Sequence, residues 1–406
     1  MKLQAFLGLV LFFTAIKGFC DPLTLETNLA APYQVYDGDK ISGTAINALD
    51  CIFEKLAHPY TIQITPWLRS IKRLEKGLSQ GFFTSTYIPN LDNKAELSAP
   101  LFLERWHLIS LNELKPLNLY TDKSIKVGVI RGNAQSTWLK FHKFDHKIIE
   151  VNSIKQLIKL LNLGRVDAIL EGKRNFLDAL SKENISKSQY QLKFIKYAPM
   201  GVYFSTTYLN AHPRFLSNFN SHISSCVSES RPLNDIETKK IYALLVDTVT
   251  DLIHNKDVIN YINAANQKEL SLSDSDILSL DQQWVEQHSS APPIKEALSH
   301  PLSSKLRQVQ EASLELISET FIVGKKGLII GLSHITSDYW QGDEAKIINS
   351  KNQKGGIFTF NDIQYDESSG SFQTQVAIAI SDPQTNDYIG TLVIGVNPEK
   401  ALHTDP

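Results

Sequence analysis

From Leu23 to Leu170 strand-like and helix-like stretches alternate along the chain, and no other feature constrains the fold as strongly. Strands that alternate with returning helices build α/β units with a largely parallel sheet. Leu23-Thr24-Leu25-Glu26-Thr27 opens the series, ahead of Ala31-Pro32-Tyr33 and a turn at Asp37-Gly38-Asp39. Apolar spacing at Ile46, Leu49, Phe53 and Leu56 predicts a helix over 44–56. Thr61-Ile62-Gln63-Ile64 alternates as a strand, and Pro66 opens a helix through Leu68, Ile71 and Leu74 that closes at Gly77. Phe82-Phe83-Thr84 and Leu108-Ile109 are further strands. Lys126-Val127-Gly128-Val129-Ile130 turns at Gly132 into a helix beginning near Gln135. A helix over 154–163 stops at Gly164, before the strand Val166-Asp167-Ala168-Ile169-Leu170.

Near residue 232 the pattern changes. A turn-rich stretch from Ser228 to Asp235 precedes a long helical region reaching about Gln267, and Leu302, Leu306, Val309 and Leu316 mark another amphipathic helix. From Phe321 onward short strands dominate, which predicts a separate α+β domain with an antiparallel meander. The chain has 406 residues, enough for two or three domains. The reading is a segment 1–20, a domain 21–230 and a domain 231–406.

Residues 1–20 have the form of a cleaved signal peptide. Lys2 precedes the apolar run from Ala5 to Ile16, and Gly18 and Cys20 are small residues before a cut at Asp21. Cys20 also suits a lipoprotein, but the bulky Phe19 before it favours cleavage. No later segment has membrane-spanning length without charges. The expectation is a soluble, exported, periplasmic protein that retains Cys51 and Cys226 in an oxidising compartment. Lys plus Arg number 41 against 43 acids, a net charge of −2, which gives no case for nucleic acid. Cys-x-x-Cys, Gly-x-Ser-x-Gly and P-loop patterns are missing, so neither an enzyme nor a cofactor is expected. His142 and His146 could share a helix face as a metal pair. No glutamate follows the first, a polar loop pair is the alternative, and no metal is expected.

The order of several short motifs carries a family resemblance. They are Ala31-Pro32-Tyr33 with Ile41-Ser42-Gly43; Pro66-Trp67 with Arg69; Gly81-Phe82-Phe83; Leu97-Ser98-Ala99-Pro100; Val127-Gly128-Val129 with Gly132; Gly164-Arg165-Val166-Asp167-Ala168; and Pro199-Met200-Gly201-Val202-Tyr203-Phe204-Ser205 with Asn220. Over residues 23–226 the chain resembles a family 3 periplasmic solute-binding protein. That implies a bilobal type II fold whose lobes close around a solute. It implies hinge strands near 108–114 and 198–202, and a helix N-terminus after Gly132 whose free N–H groups, from Asn133 through Gln135 and Ser136, suit an anion or carbonyl. The resemblance also implies an arginine for a ligand carboxylate and an aspartate for an ammonium; Leu91 and Gly172 stand there instead. Conventional amino-acid binding is therefore not expected. Glu171 is the candidate for a cation, and Arg131 or Lys94 for an anion. Tyr33, Trp67, Phe83, Trp106 and Trp138 would give an aromatic cleft suited to a flat or cationic ligand. The alternative is that Trp67 and Trp138 are lobe core.

Residues 235–402 resemble a Cache (PDC-type, PAS-like) sensory domain, through Phe321-Ile322-Val323 with Lys326-Gly327-Leu328-Ile329-Ile330, the Thr336-to-Glu344 segment, and the strand Tyr388-to-Val396. This implies a ligand pocket over the sheet, with Tyr339, Trp340, Asp343 and Tyr365 as candidates. The alternative is that Trp340 packs and the aspartates cap turns. Gly324 departs from the aspartate usual at that hairpin. Together the resemblances imply a periplasmic ligand-binding sensory protein that passes its state to an inner-membrane kinase, cyclase or chemoreceptor. The alternative is the binding component of an ABC transporter, with a permease as partner. Some lytic murein enzymes pair a family 3 domain with a helical catalytic half, a reading the C-terminal strands disfavour. The resembled fold finally returns its last helix to the first lobe, which implies a Cys51–Cys226 disulfide; two separate buried thiols are the alternative.

Overall fold

The computed structural model describes residues 22–122, 124–142, 147–227, 231–287, 291–353, 355–366 and 371–403. The signal-peptide expectation on 1–20 and the His146 half of the histidine pair lie outside the described residues. The chain forms two compact units. The first comprises the chain up to Phe102, Gly132–Thr137 and Pro199–Val227; the second comprises Leu103–Arg131, Trp138–Ala198 and the chain from Ser228 on.

In the first unit Leu23–Thr27 pairs in parallel with Tyr60–Ile64 on one side and Gly81–Ser85 on the other. The end of the long strand Tyr190–Ser205 runs antiparallel to Gly81–Ser85 and also pairs with Ala95–Leu97. The helix Thr44–Lys55 buries Ile46, Leu49 and Phe53 of the face its apolar spacing predicts, together with Ala45 and Ile52. It starts at Gly43, whose φ of 129° and a Tyr33 carbonyl oxygen 2.3 Å from any added Cβ admit only glycine. Cys51 and Cys226 are joined by a disulfide with a Cα separation of 5.7 Å. It ties this helix to the segment Ile223–Cys226, where Lys55 Nζ also donates to Ser225 Oγ.

The second unit holds two sheet systems. In one, Phe102–Leu111 pairs antiparallel with Ala168–Gly172, which runs parallel to Lys126–Ile130, itself parallel to Lys147–Val151. The helices Ile154–Asn162 and Lys173–Lys182 bury Leu157, Leu161, Phe176 and Leu180 against Ile109 and Ile169. The strand expected at 166–170 lies two residues later. Gly164 ends its turn at φ 62°, and Asp167 is still occupied there, bonding Lys126 through both its main chain and its carboxylate.

The other system is a six-stranded sheet ordered Ile329–Leu332, Ile317–Gly324, Tyr388–Val396, Ser371–Ser381, Phe358–Phe360, with Gln364–Asp366 paired to Ser371–Ser381 as well. Numbering the five principal strands along the chain gives the order 2-1-5-4-3, with each neighbouring pair antiparallel. Period-2 alternation divides its residues. Ile322, Ile378, Ile380, Leu392 and Ile394 pack with the helices Asp235–Ile253 and Lys256–Glu269, through Ile241, Leu245, Val249 and Ile262. Phe321, Val323, Ile329, Ala377 and Val393 face Trp284, Ile294, Ala297 and Ile347.

The single helical region expected up to Gln267 is two helices. Asn255 interrupts it and caps the second, accepting from the N–H groups of Asp257 and Val258. At the 324 hairpin the cap comes from elsewhere: Asn266 Oδ1 accepts from Lys325 N and would lie 2.7 Å from a Cβ at Gly324, leaving no room for an aspartate. Also in this unit, Leu103, Phe194 and Tyr197 pack with Ile363, Phe372 and Leu402. Glu399 Oε2 accepts from Tyr197 N at 3.0 Å, and Arg105 donates to Pro232 O at 2.9 Å and lies 3.7 Å from Glu237. Among the described residues no helix is long and apolar enough to cross a membrane.

Candidate ligand-binding sites

Register across the six-stranded sheet places Glu319, Gly395 and Gln375 in one row, Gly395 in the middle. A Cβ at Gly395 would come within 2.5 Å of Gln373 Oε1 and 2.6 Å of Glu319 Cγ. The bare glycine therefore lets side chains from the two flanking strands meet over the central one. Gln373 Nε2 and Gln375 Nε2 donate to the same Glu319 oxygen at 2.8 and 2.9 Å. Above this polar floor lies a cavity of about 440 Å³, walled by Phe321, Tyr365, Asp366, the loop residues Ile335, Thr336, Ser337, Gln341 and Glu344, and Lys346 of the helix Ala345–Lys351. That volume suits a small solute.

Two of the wall residues are polar and nearly inaccessible. Lys346, 5% exposed, lies with its ammonium 5.6 Å from the centre of the Phe321 ring and 3.5 Å from Glu344. Gln341, 2% exposed, donates from Nε2 to Asp338 Oδ1 at 2.5 Å, which fixes which end of its amide faces the carboxylate. Its Oε1 has no hydrogen-bond partner among the described residues. Burial pushes the Asp338 carboxyl up, and its bond from Ser337 opposes this.

Of the candidates on this domain, Tyr365 lines the cavity and Tyr339, Trp340 and Asp343 do not. Tyr339 stacks on Trp284, ring centres 5.0 Å apart. The main-chain N–H groups of Tyr339 and Trp340 both donate to Asp281 Oδ1, and the Trp340 indole donates to Lys326 O. Asp343 is exposed. The segment thus anchors the loop, and its neighbours Gln341 and Glu344 reach the cavity. Glu319, Gln373 and Gln375 were not singled out from the sequence. Their signal was present: polar residues spaced by two inside an apolar strand, opposite a glycine.

In the other sheet system of this unit, Glu104, Trp106, Trp138 and Glu171 come together. Trp106, 2% exposed, donates from Nε1 to Glu104 Oε2 at 3.0 Å and meets Trp138 edge-on at 6.0 Å. Glu171 is buried and accepts from Gly172 N; burial, then the Glu104 charge, pushes its carboxyl up to about 7. A Cβ at Gly172 would lie 3.1 Å from Glu104 Oε1, so Glu104 occupies the space an aspartate at 172 would need. Glu104 was missed, although it sits two residues from Trp106 on one strand. Arg131 is exposed, with its N–H donating to Val151 O.

Tyr33, Trp67, Phe83, Gln135 and Ser136 belong to the first unit. Trp67 packs in an apolar cluster with Ile71, Phe82, Tyr203 and fully buried Leu91, a core environment. Phe83 is fully buried, and Tyr33 lies 5.1 Å from the Phe102 ring. Gln135 and Ser136 are buried as well. The N–H groups expected to be free after Gly132 are not all so: Asn133 Oδ1 accepts from Ser136 N at 2.9 Å, because an asparagine three residues ahead caps the helix itself. No group of histidine, cysteine and acidic side chains able to hold a metal occurs among the described residues.

No protein-family model matches the chain, and no curated protein does. Among solved structures it is similar over 52% of its length to the GluR0 ligand-binding core in complex with L-glutamate, covering 94% of that chain at 14% identity and a TM-score of 0.43. It is similar over 50% of its length to a histidine kinase sensor domain with similarity to periplasmic binding proteins, covering 90% of that chain at 12% identity and a TM-score of 0.44. A third is the arginine-, lysine-, histidine-binding protein ArtJ from Geobacillus stearothermophilus, with 50% of this chain and 88% of that one covered, 14% identity and a TM-score of 0.42.

Proposed function

We propose that this chain is a periplasmic ligand-binding sensory protein, with a solute-binding, bilobal type II module over about 21–230 and a Cache-like module over about 231–406, that passes ligand state to an inner-membrane receptor. The observation that carries this reading is the cavity above Glu319, Gln373 and Gln375, lined also by Gln341, whose buried amide oxygen has no hydrogen-bond partner among the described residues. A buried acceptor without a donor is costly, and a bound ligand that donates to it removes the cost. The 2-1-5-4-3 antiparallel order supports a PAS-like module around that cavity. The Cys51–Cys226 bridge supports an oxidising compartment. A second ligand-type module favours sensing over uptake.

The test is mass spectrometry of small molecules released on denaturing the purified protein, with Gln375→Trp filling the cavity. A ligand carried by the wild type and lost in the variant is the expected result; equal carriage by both removes this site. In-membrane cross-linking then identifies the partner. A kinase, cyclase or chemoreceptor is expected, and recovery of permease subunits alone would assign the protein to transport.

A further inference from the structure

The charges around the sheet-face cavity are unequal. Its described lining includes the carboxylates Glu319, Glu344 and Asp366 and one ammonium, Lys346. Lys346 is already engaged, over the Phe321 ring and beside Glu344, so it is poorly placed to clamp an anion. Glu319, by contrast, is met among the described residues by the neutral amides of Gln373 and Gln375, both on the same oxygen. Gln341 Oε1, with no hydrogen-bond partner among the described residues, is a further acceptor. An acceptor-rich, net-negative recess calls for a ligand that brings N–H donors and positive charge. An anion would meet carboxylates and leave Gln341 unsatisfied, and a neutral diol would leave Glu319 without a counter-charge.

Resting on the reading of this cavity as a ligand site, we propose that its occupant is a small organic cation bearing a primary ammonium or guanidinium group, held by Glu319 and Gln341. The Phe321 and Tyr365 rings supply apolar walls for its carbon chain.

Isothermal titration calorimetry of the purified protein tests this, with 1,4-diaminobutane and agmatine as probes and succinate and 1,4-butanediol as controls of similar size at equal ionic strength. At least one cation should bind and neither control should. Glu319→Gln and Gln341→Leu should each weaken the cation at least tenfold, with thermal melting confirming that the unliganded variants are folded. Asp366→Asn replaces either variant that fails to fold. Silence of both cations, affinity unchanged by these substitutions, or binding of succinate would overturn the proposal. A co-purifying ligand that is lost in Gln375→Trp while both cations remain silent would retain the cavity as a ligand site and remove only the cationic class.

Discussion

Glu171 and Glu269 are acids held where ionisation is unfavourable. Burial raises both from an ordinary value of 4.5 to about 7; the Glu104 charge adds to it for Glu171, and Lys326 opposes it for Glu269. A raised carboxyl favours the fold while protonated in it, so its contribution is complete below about 4.5 and is lost as pH rises through about 7. Buried His107, pushed down to about 4 by desolvation, has the opposite slope, so the informative quantity is the difference between variant and wild type. Glu171→Gln should stabilise the protein relative to wild type at pH 8 and do so much less at pH 5. Chemical denaturation at both values checks this, and an equal difference would show that Glu171 is not the titrating group. At Gly395 the expected effect is steric: Gly395→Ala should cost about 1–3 kcal/mol by forcing Glu319 and Gln373 apart, read from the denaturation midpoint.

At the scale of elements, the disulfide is the sharpest test. Cys51 and Cys226 close a loop of 175 residues, for which the chain-entropy estimate is about 5 kcal/mol. Cys51→Ser with Cys226→Ser should lower the melting temperature of the first unit, and addition of reductant to the wild type should reproduce the loss. This pairing was legible only through the family resemblance. Elements with a wide apolar stripe were legible directly: Thr44–Lys55 and Trp67–Glu75 lie within a residue or two of their spacing. The helix Asp274–Gln287 was not, because its buried contacts reduce to Ile277 and Trp284, seven residues apart, while Leu278 and Val285 stay exposed. The cavity was half legible. Aromatic residues announced the loop beside it, but its floor is made by cross-strand register, which pairs Glu319 with Gln375 through Gly395 over a sequence distance no local pattern spans.

Across the whole molecule, the boundary near residue 232 divides the sequence more sharply than it divides the packing. Leu103, Phe194 and Tyr197 share a buried cluster with Ile363 and Phe372, and Glu399 and Glu237 engage Tyr197 and Arg105. A fragment of residues 21–230 should therefore melt below the full chain and bind a hydrophobic dye at this face. A fragment as stable and as dye-free as the full chain would show that the contact contributes nothing. Tyr365 stands at the junction: it lines the cavity and also meets Phe372, ring centres 5.4 Å apart, within the cluster that holds Tyr197. One side chain thus answers to two neighbourhoods. In related chains, a change of ligand that requires a different residue at this position must be accompanied by a compensating change at Phe372 or Tyr197, so these positions should drift together over evolution rather than singly.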